Sequence, residues 1–229
     1  MSDQSTPAKP AAEALLDAAL SHVPFDGWCD ATFQAAAADA GVDPGLARAL
    51  FPRGAVDLAL AFHARGDAVM LARLAERDLA DLRFRDRVAL AVRLRLEAVE
   101  DKELVRRGMT LFAMPQHAGD GARAVWGTVD TIWTALGDSS DDVNWYTKRA
   151  SLSGVYGSVL LYWLGDDSPG HQATWEFLDR RINDVMQIEK FKAQLRDNKL
   201  AATLLAGPLA VLGQIRAPRG KGGLPGRTG

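Results

Sequence analysis

The sequence predicts an all-α protein, on three observations. Apolar residues recur at intervals of three and four along nearly the whole chain. Strict period-two alternation is almost absent. Ala, Leu and Arg, all strong helix formers, dominate the composition. At 229 residues, 48% apolar and 24% charged, the chain has the make-up of one large or two small globular domains. That composition excludes wholesale disorder and collagen-like or coiled-coil repetition, and no internal repeat is visible. A net charge of −2 is not that of a basic nucleic-acid coat. The single cysteine, Cys29, excludes an intrachain disulfide and any multi-cysteine metal site. It fits a reducing compartment and reads as a small buried residue.

The elements follow in order. Residues 1–10 are polar, with Asp3 and Lys9 and no apolar stretch, and read as a disordered lead rather than a secretory signal. Helices are predicted over 11–20, over 30–40 with Asp30 as N-cap and Gly41 as the stop, and over 43–50. In the last of these Asp43 caps and Pro44 takes the first helical position. A long run covers 53–82. The segment 86–101 carries Val88, Val92, Leu96 and Val99 on one stripe, and the arginines of 82–95 read as a solvated face. Further helices span 103–114, 120–136 (stopped by Gly137), 144–164 (stopped by Gly165), 168–195 and 199–215. Residues 218–229, rich in Gly, Pro and basic residues, read as a disordered tail. No uncharged apolar run reaches the length of about 20 residues that a membrane-spanning helix needs.

Residues 27–62 have the spacing of a helix-turn-helix: a helix, a glycine turn, a short helix, then Phe51-Pro52-Arg53-Gly54 and a longer helix. The stretch resembles the N-terminal domain of TetR-type repressors, in which an all-helical body also follows. DNA recognition is not expected from it. The short helix Pro44–Leu50 carries one cation, Arg48, and residues 11–65 hold seven carboxylates against three arginines. Affinity for a duplex comes largely from phosphate neutralisation, so this surface should be repelled. The expected organisation is a helix-turn-helix-like unit over 11–65, a helical ligand-binding body over 66–195, a C-terminal amphipathic helix over 196–217, and the tail.

The densest signature is residues 140–150. Trp145 and Tyr146 are adjacent and cannot share one core stripe, Asp141 and Asp142 suit the start of a helix, and Lys148 and Arg149 follow one turn on. The residues alone leave two readings open: an exposed aromatic hot spot for a protein partner, or a half-buried Trp that staples the helix among solvated charges. Along the middle helices, Trp126, Val129 and Trp133 share a face, as do Leu152, Tyr156, Leu160 and Trp163. Met109 and Phe112 precede them, and small residues such as Gly127 and Gly154 break the faces. Taken alone, such stripes are core.

Three motifs in order, at 51–58, 140–150 and 174–185, are similar to those of the ninth coenzyme Q (ubiquinone) biosynthesis protein family, in a bacterial version. The resemblance runs over most of residues 14–215. It implies a TetR-like fold without DNA binding, and an accessory protein of ubiquinone biosynthesis that binds lipid and associates with the di-iron demethoxyubiquinone hydroxylase. It implies a hydroxylase-binding patch at Asp142, Asn144, Trp145, Tyr146, Lys148 and Arg149, and a homodimer. It also makes the better reading of Met109, Phe112, Trp126, Val129, Trp133, Leu152, Tyr156, Leu160 and Trp163 a tunnel for an isoprenoid or quinone tail.

Residues 200–215 hold no charged side chain but are flanked by cations at Lys190, Lys192, Arg196, Lys199, Arg216, Arg219 and Lys221. Sixteen residues rise about 24 Å, short of a ~30 Å hydrocarbon core. An in-plane anchor is therefore expected, with Leu200, Leu204, Leu205, Leu209, Val211, Leu212 and Ile215 in contact with the membrane and Pro208 interrupting it. That places the protein in the cytoplasm, peripheral at the inner face of the cytoplasmic membrane. Catalysis is not expected, nor any cofactor. The four histidines have no ligand spacing, and there is no nucleophile elbow, P-loop or dinucleotide fingerprint. Asp141-Asp142 and Asp166-Asp167 read as helix caps. The alternative to the accessory role is a ligand-responsive TetR-type repressor.

Overall fold

A computed structural model describes residues 8–141 and 143–197. These residues form α1 (Ala8–Asp26), α2 (Asp30–Asp39), α3 (Pro44–Leu50), α4 (Ala55–Ala75), α5 (Phe84–Glu97), α6 (Lys102–Ala113), α7 (Ala118–Ala135), α8 (Val143–Leu164), a 3₁₀ turn (Pro169–His171) and α9 (Gln172–Asp197). No strand occurs among the described residues. Two compact units emerge. The first gathers residues 8–69 and 97–124, and the second 70–96 and 125–197. The expected boundary at residue 65 thus marks a change along the chain, whereas in space α6 joins the N-terminal unit.

The first unit is built on α1, whose Ala11, Leu15, Ala19 and Val23 are wholly buried. The helix extends past the predicted stop at Leu20 to Asp26, with Pro24 inside its last turn. Gly27 (φ 77°) then ends it. Trp28 anchors α6 by donating Nε1–H to the Leu104 carbonyl at 3.2 Å, and its ring lies 5.7 Å from that of Phe62.

The helix-turn-helix forms as its sequence requires. Gly41 (φ 62°) lets Val42 N–H reach the Ala37 carbonyl and Gly41 N–H the Ala38 carbonyl, the Schellman pattern. Asp43 caps α3 by accepting from Leu46 N–H at 3.0 Å. Cys29, not Asp30, is the α2 N-cap residue. Cys29 is half-buried rather than buried, with its thiol 3.5 Å from the Thr32 hydroxyl, whose hydrogen bonding holds the thiol pKa below its ordinary value. Asp30 instead accepts from Gln34 and, at 3.0 Å, from Arg48. The guanidinium of Arg48 also lies over the Phe33 ring at 4.7 Å. The lone cation of α3 is therefore engaged within the unit.

In the second unit, α4 ends at Ala75 rather than 82. A turn follows, held by Asp78 accepting from Ala80 N–H and by Arg87 donating to the Leu82 carbonyl. The face of α5 expected to be solvated is partly internal, since Arg95 is 4% exposed. Ahead of α9, the left-handed pair Gly170 (φ 61°) and His171 (φ 56°) makes the 3₁₀ turn, and Trp175 Nε1 donates to the Gly170 carbonyl at 2.8 Å. Asp166, 6% exposed, ties the α8–α9 connection together. It accepts from Ser168 N–H at 2.8 Å, Thr174 N–H at 2.9 Å and the Thr174 hydroxyl at 2.5 Å. Burial opposes its ionisation, but these bonds outweigh it and hold the carboxyl below the usual range. Replacing Asp166 with Ala is expected to cost about 1–3 kcal/mol, because two buried donors lose their acceptor. Urea denaturation checks this, and Thr174→Val in the same background should add little.

Candidate functional site

The site lies within the second unit, where α5, α7, α8 and α9 enclose a cavity of about 530 Å³. Its apolar wall comes from Phe84 and Val88 of α5, Trp133 of α7, Leu152 and Val155 of α8, and Ile182, Val185 and Met186 of α9. Its polar wall comes from the α7–α8 loop and the first turns of α8: Asp138, Ser139, Ser140, Asn144, Thr147, Lys148 and Ser151, with Arg85 opposite. Phe84 and Met186 are 45% and 41% exposed, so apolar surface reaches solvent at the cavity's edge. Phe84 stacks on Trp133, with ring centroids 5.5 Å apart. Arg85 donates to Asn183 Oδ1 at 2.5 Å.

The polar wall is organised by one carboxylate. Gly137 (φ 81°) closes a Schellman motif on α7, with Asp138 N–H on the Trp133 carbonyl and Gly137 N–H on the Thr134 carbonyl, and so turns Asp138 back toward the helices. Asp138 Oδ1 accepts from Lys148 Nζ and the Ser140 hydroxyl, both at 2.8 Å. Asp138 Oδ2 accepts from Arg149 Nη1 at 3.0 Å. Arg149 also donates to Asp130 Oδ1 at 2.6 Å and to the Trp145 carbonyl at 3.2 Å. The side chains of Asp138 and Arg149 are each 3% exposed. Burial raises the Asp138 pKa, but the bonds from Lys148, Ser140 and Arg149 prevail and bring it down to about 2.

The sequence-predicted residues divide accordingly. Of the nine proposed tunnel residues, Trp133 and Leu152 line the cavity. Val129, Tyr156 and Trp163 are buried in the second unit but do not line this cavity. Trp126 is half-buried, its ring 5.9 Å from Trp145, and Leu160 is half-buried on α8. Met109 and Phe112 belong to α6 of the first unit, where Phe112 packs against that unit's own core. Of the proposed patch, Asn144 is exposed, and Trp145 and Tyr146 are half-buried and meet edge to face at 4.8 Å. Lys148 faces the cavity. Arg149 is inside, beneath Trp145 with its guanidinium carbon 4.0 Å from the ring centre, and has no free face for a partner. Asp142 lies outside the described residues, as do Leu200, Leu204, Leu205, Leu209, Val211, Leu212 and Ile215. Sequence reasoning missed Phe84, Val88, Val155, Ile182, Val185 and Met186, whose helical periodicity marks core but not which core.

Among the described residues, no group of three or more His, Cys, Asp or Glu side chains could hold a metal ion. None of their helices is long and apolar enough to cross a membrane.

Removing Asp138 leaves the buried Arg149 with Asp130 alone and takes the carboxylate from Lys148. Asp138→Ala is expected to destabilise the protein by about 1–3 kcal/mol. In a double-mutant cycle with Arg149→Met the two losses should be strongly non-additive in urea denaturation. Because the folded-state pKa of Asp138 lies below its unfolded value, its contribution is full above about pH 4. The contribution, about 2 kcal/mol, is then lost as pH falls towards 2. Acid titration of stability should show this loss in the wild type and not in Asp138→Asn.

Residues 118–189, which carry most of this site, match the family model described as COQ9. The chain is 36% identical over 185 residues to the ubiquinone biosynthesis protein COQ9, mitochondrial, of Drosophila melanogaster, covering 79% of this chain and 56% of that protein. It is 30% identical over 192 residues to the probable ubiquinone biosynthesis protein coq9, mitochondrial, of Dictyostelium discoideum, covering 80% and 62%. The human COQ9 protein is 28% identical over 193 residues, covering 80% and 59%. The chain thus spans about three-fifths of the length of these relatives. Among solved structures, a TetR transcriptional regulator from Nitrosomonas europaea superposes with a TM-score of 0.63 at 20% identity, covering 76% of this chain and 97% of that one. At that identity the likeness is one of fold, and the fold is TetR-like. The family match spans the α7–α8 loop and the three helices α7, α8 and α9 of the cavity, and over that stretch the chain is similar to the COQ9 family.

Proposed function

We propose that the protein serves ubiquinone biosynthesis as a lipid-binding accessory protein with no reaction of its own. The observation that carries this reading is the cavity: an apolar wall of about eight side chains ending in hydroxyl and amide groups, all but the α5 part of it within the stretch matched by the family. At about 530 Å³ it falls in the range of small-molecule sites. An amphiphile with an isoprenoid tail and an oxygen-bearing head suits both walls. Each methylene taken from water contributes about 0.8 kcal/mol, so a carrier surface has a clear physical use.

In this reading a polyprenyl-quinone intermediate is held here and presented to the di-iron demethoxyubiquinone hydroxylase, which does the chemistry. The Trp145–Tyr146 face offers that partner half-buried aromatics beside the exposed Asn144. The protein works as a homodimer, in the cytoplasm at the inner face of the membrane. The apolar segment 200–215 supplies the membrane contact. A nucleic-acid role is disfavoured by the engagement of Arg48 with Asp30 and Phe33.

Native mass spectrometry and solvent extraction of protein purified from its own cells should find an isoprenoid quinone. Val155→Trp, which fills the cavity, should lower the bound amount at least about tenfold. Wild-type protein free of isoprenoid lipid would sink the proposal. Deleting residues 198–229 should abolish flotation with liposomes, and unchanged flotation would remove the membrane role of that segment.

A further inference from the structure

The polar wall and the aromatic face share one group. Asp138 divides its two oxygens between them: Oδ1 holds Lys148, which lines the cavity, and Oδ2 holds Arg149, which supports Trp145. We infer that occupancy of the cavity is transmitted to the Trp145–Tyr146 face through the carboxylate of Asp138.

The inference rests on the reading of the cavity as a lipid site. Three features carry it. First, the two cations on Asp138 are unequal. The Lys148 side chain is 38% exposed and makes one ion pair among the described residues, whereas Arg149 is 3% exposed and held by Asp130 as well. An entering ligand can therefore recruit Lys148 away from Asp138, while Arg149 stays paired with it. Second, Lys148 is already directed at the cavity. Its Nζ lies 5.4 Å above the Trp133 ring and donates to the Ser140 hydroxyl at 2.6 Å, so an oxygen-bearing head that takes a bond from Lys148 loosens the Oδ1 side. Third, the far end is a direct contact. Arg149 packs 4.0 Å from the Trp145 ring centre and bonds the Trp145 carbonyl, and Trp145 in turn meets Tyr146 edge to face. When Lys148 leaves, Arg149 becomes the sole cation on Asp138 and is drawn toward it, which moves the support under Trp145. By reciprocity, a partner that fixes Trp145 alters affinity in the cavity by the same factor.

The test uses full-length protein labelled with 5-fluorotryptophan and titrated with a ubiquinone bearing two isoprene units. The fluorine resonances of Trp133 and Trp145 are assigned from the Trp133→Phe and Trp145→Phe variants. Trp133 reports occupancy and Trp145 reports the relay. In the wild type both resonances should shift with one midpoint. In Asp138→Asn and in Lys148→Met, titrated to saturation, the Trp133 shift should appear at a higher ligand concentration and the Trp145 shift should be lost. Lys148→Met leaves the buried Asp138–Arg149 pair intact and carries the test should Asp138→Asn not fold. A silent Trp145 in the wild type, with Trp133 moving, overturns the relay and leaves the lipid cavity standing. A Trp145 shift that survives both variants overturns the role of Asp138, with the contact through Trp126 as the route. No shift at either position overturns both readings.

Discussion

The second unit depends on a carboxylate that could not be buried alone. Asp138 is withdrawn from water in a loop, and two cations one residue apart on α8, with the Ser140 hydroxyl, make its charge tolerable there. Much else follows from meeting that demand. The α7–α8 loop must turn back over the helices, which Gly137 permits. Arg149 must point inward, which sets Trp145 above it. Lys148 must lean over Trp133, which gives the cavity its polar wall. A hydrophobic replacement of similar volume could pack as well, yet it would supply neither the hydroxyl-bearing wall nor the shared carboxylate.

The helix-turn-helix of the first unit is a scaffold whose outline does not by itself assign an activity. Its turn and caps are complete, with Gly41 in the left-handed region and Asp43 capping α3. What a duplex would need is surplus positive charge on α3, and the one cation there is neutralised by Asp30 and laid over Phe33. Fold and electrostatics are independent properties of the same residues, so the likeness to a TetR regulator carries the fold alone.

Legibility in the sequence followed the range of the interactions. The second and third helices were readable because a glycine stop, an Asp cap and a Pro at the first helical position act within four residues. The extent of α1 was not, because Pro24 signals a break whether it stands in the last turn or beyond it. Arg95 and Arg149 read as surface since arginine usually is. Burial of Arg149 rests on Asp130 and Asp138, 19 and 11 residues away, and nothing local announces them. Trp133 and Leu152 stand on stripes of the middle helices that read as core alone and as a tunnel only through the family resemblance. The cavity's other apolar walls on α5 and α9 depend on how helices pair, a fact of tertiary packing that periodicity alone does not contain.

The cavity is drawn from positions spread between Phe84 and Met186, a hundred residues of chain brought together on four helices. Contacts of such separation close late in folding. A molecule that fills this space therefore meets its binding site only in the assembled unit and has no counterpart site in the unfolded chain. Mass action then adds its binding energy to the stability of the fold, about 2.7 kcal/mol at a free concentration a hundred times its Kd. Against the 5–15 kcal/mol on which a domain ordinarily stands, that increment is large. Any molecule that fills the cavity thus sets, through its own supply, how much of the folded chain persists.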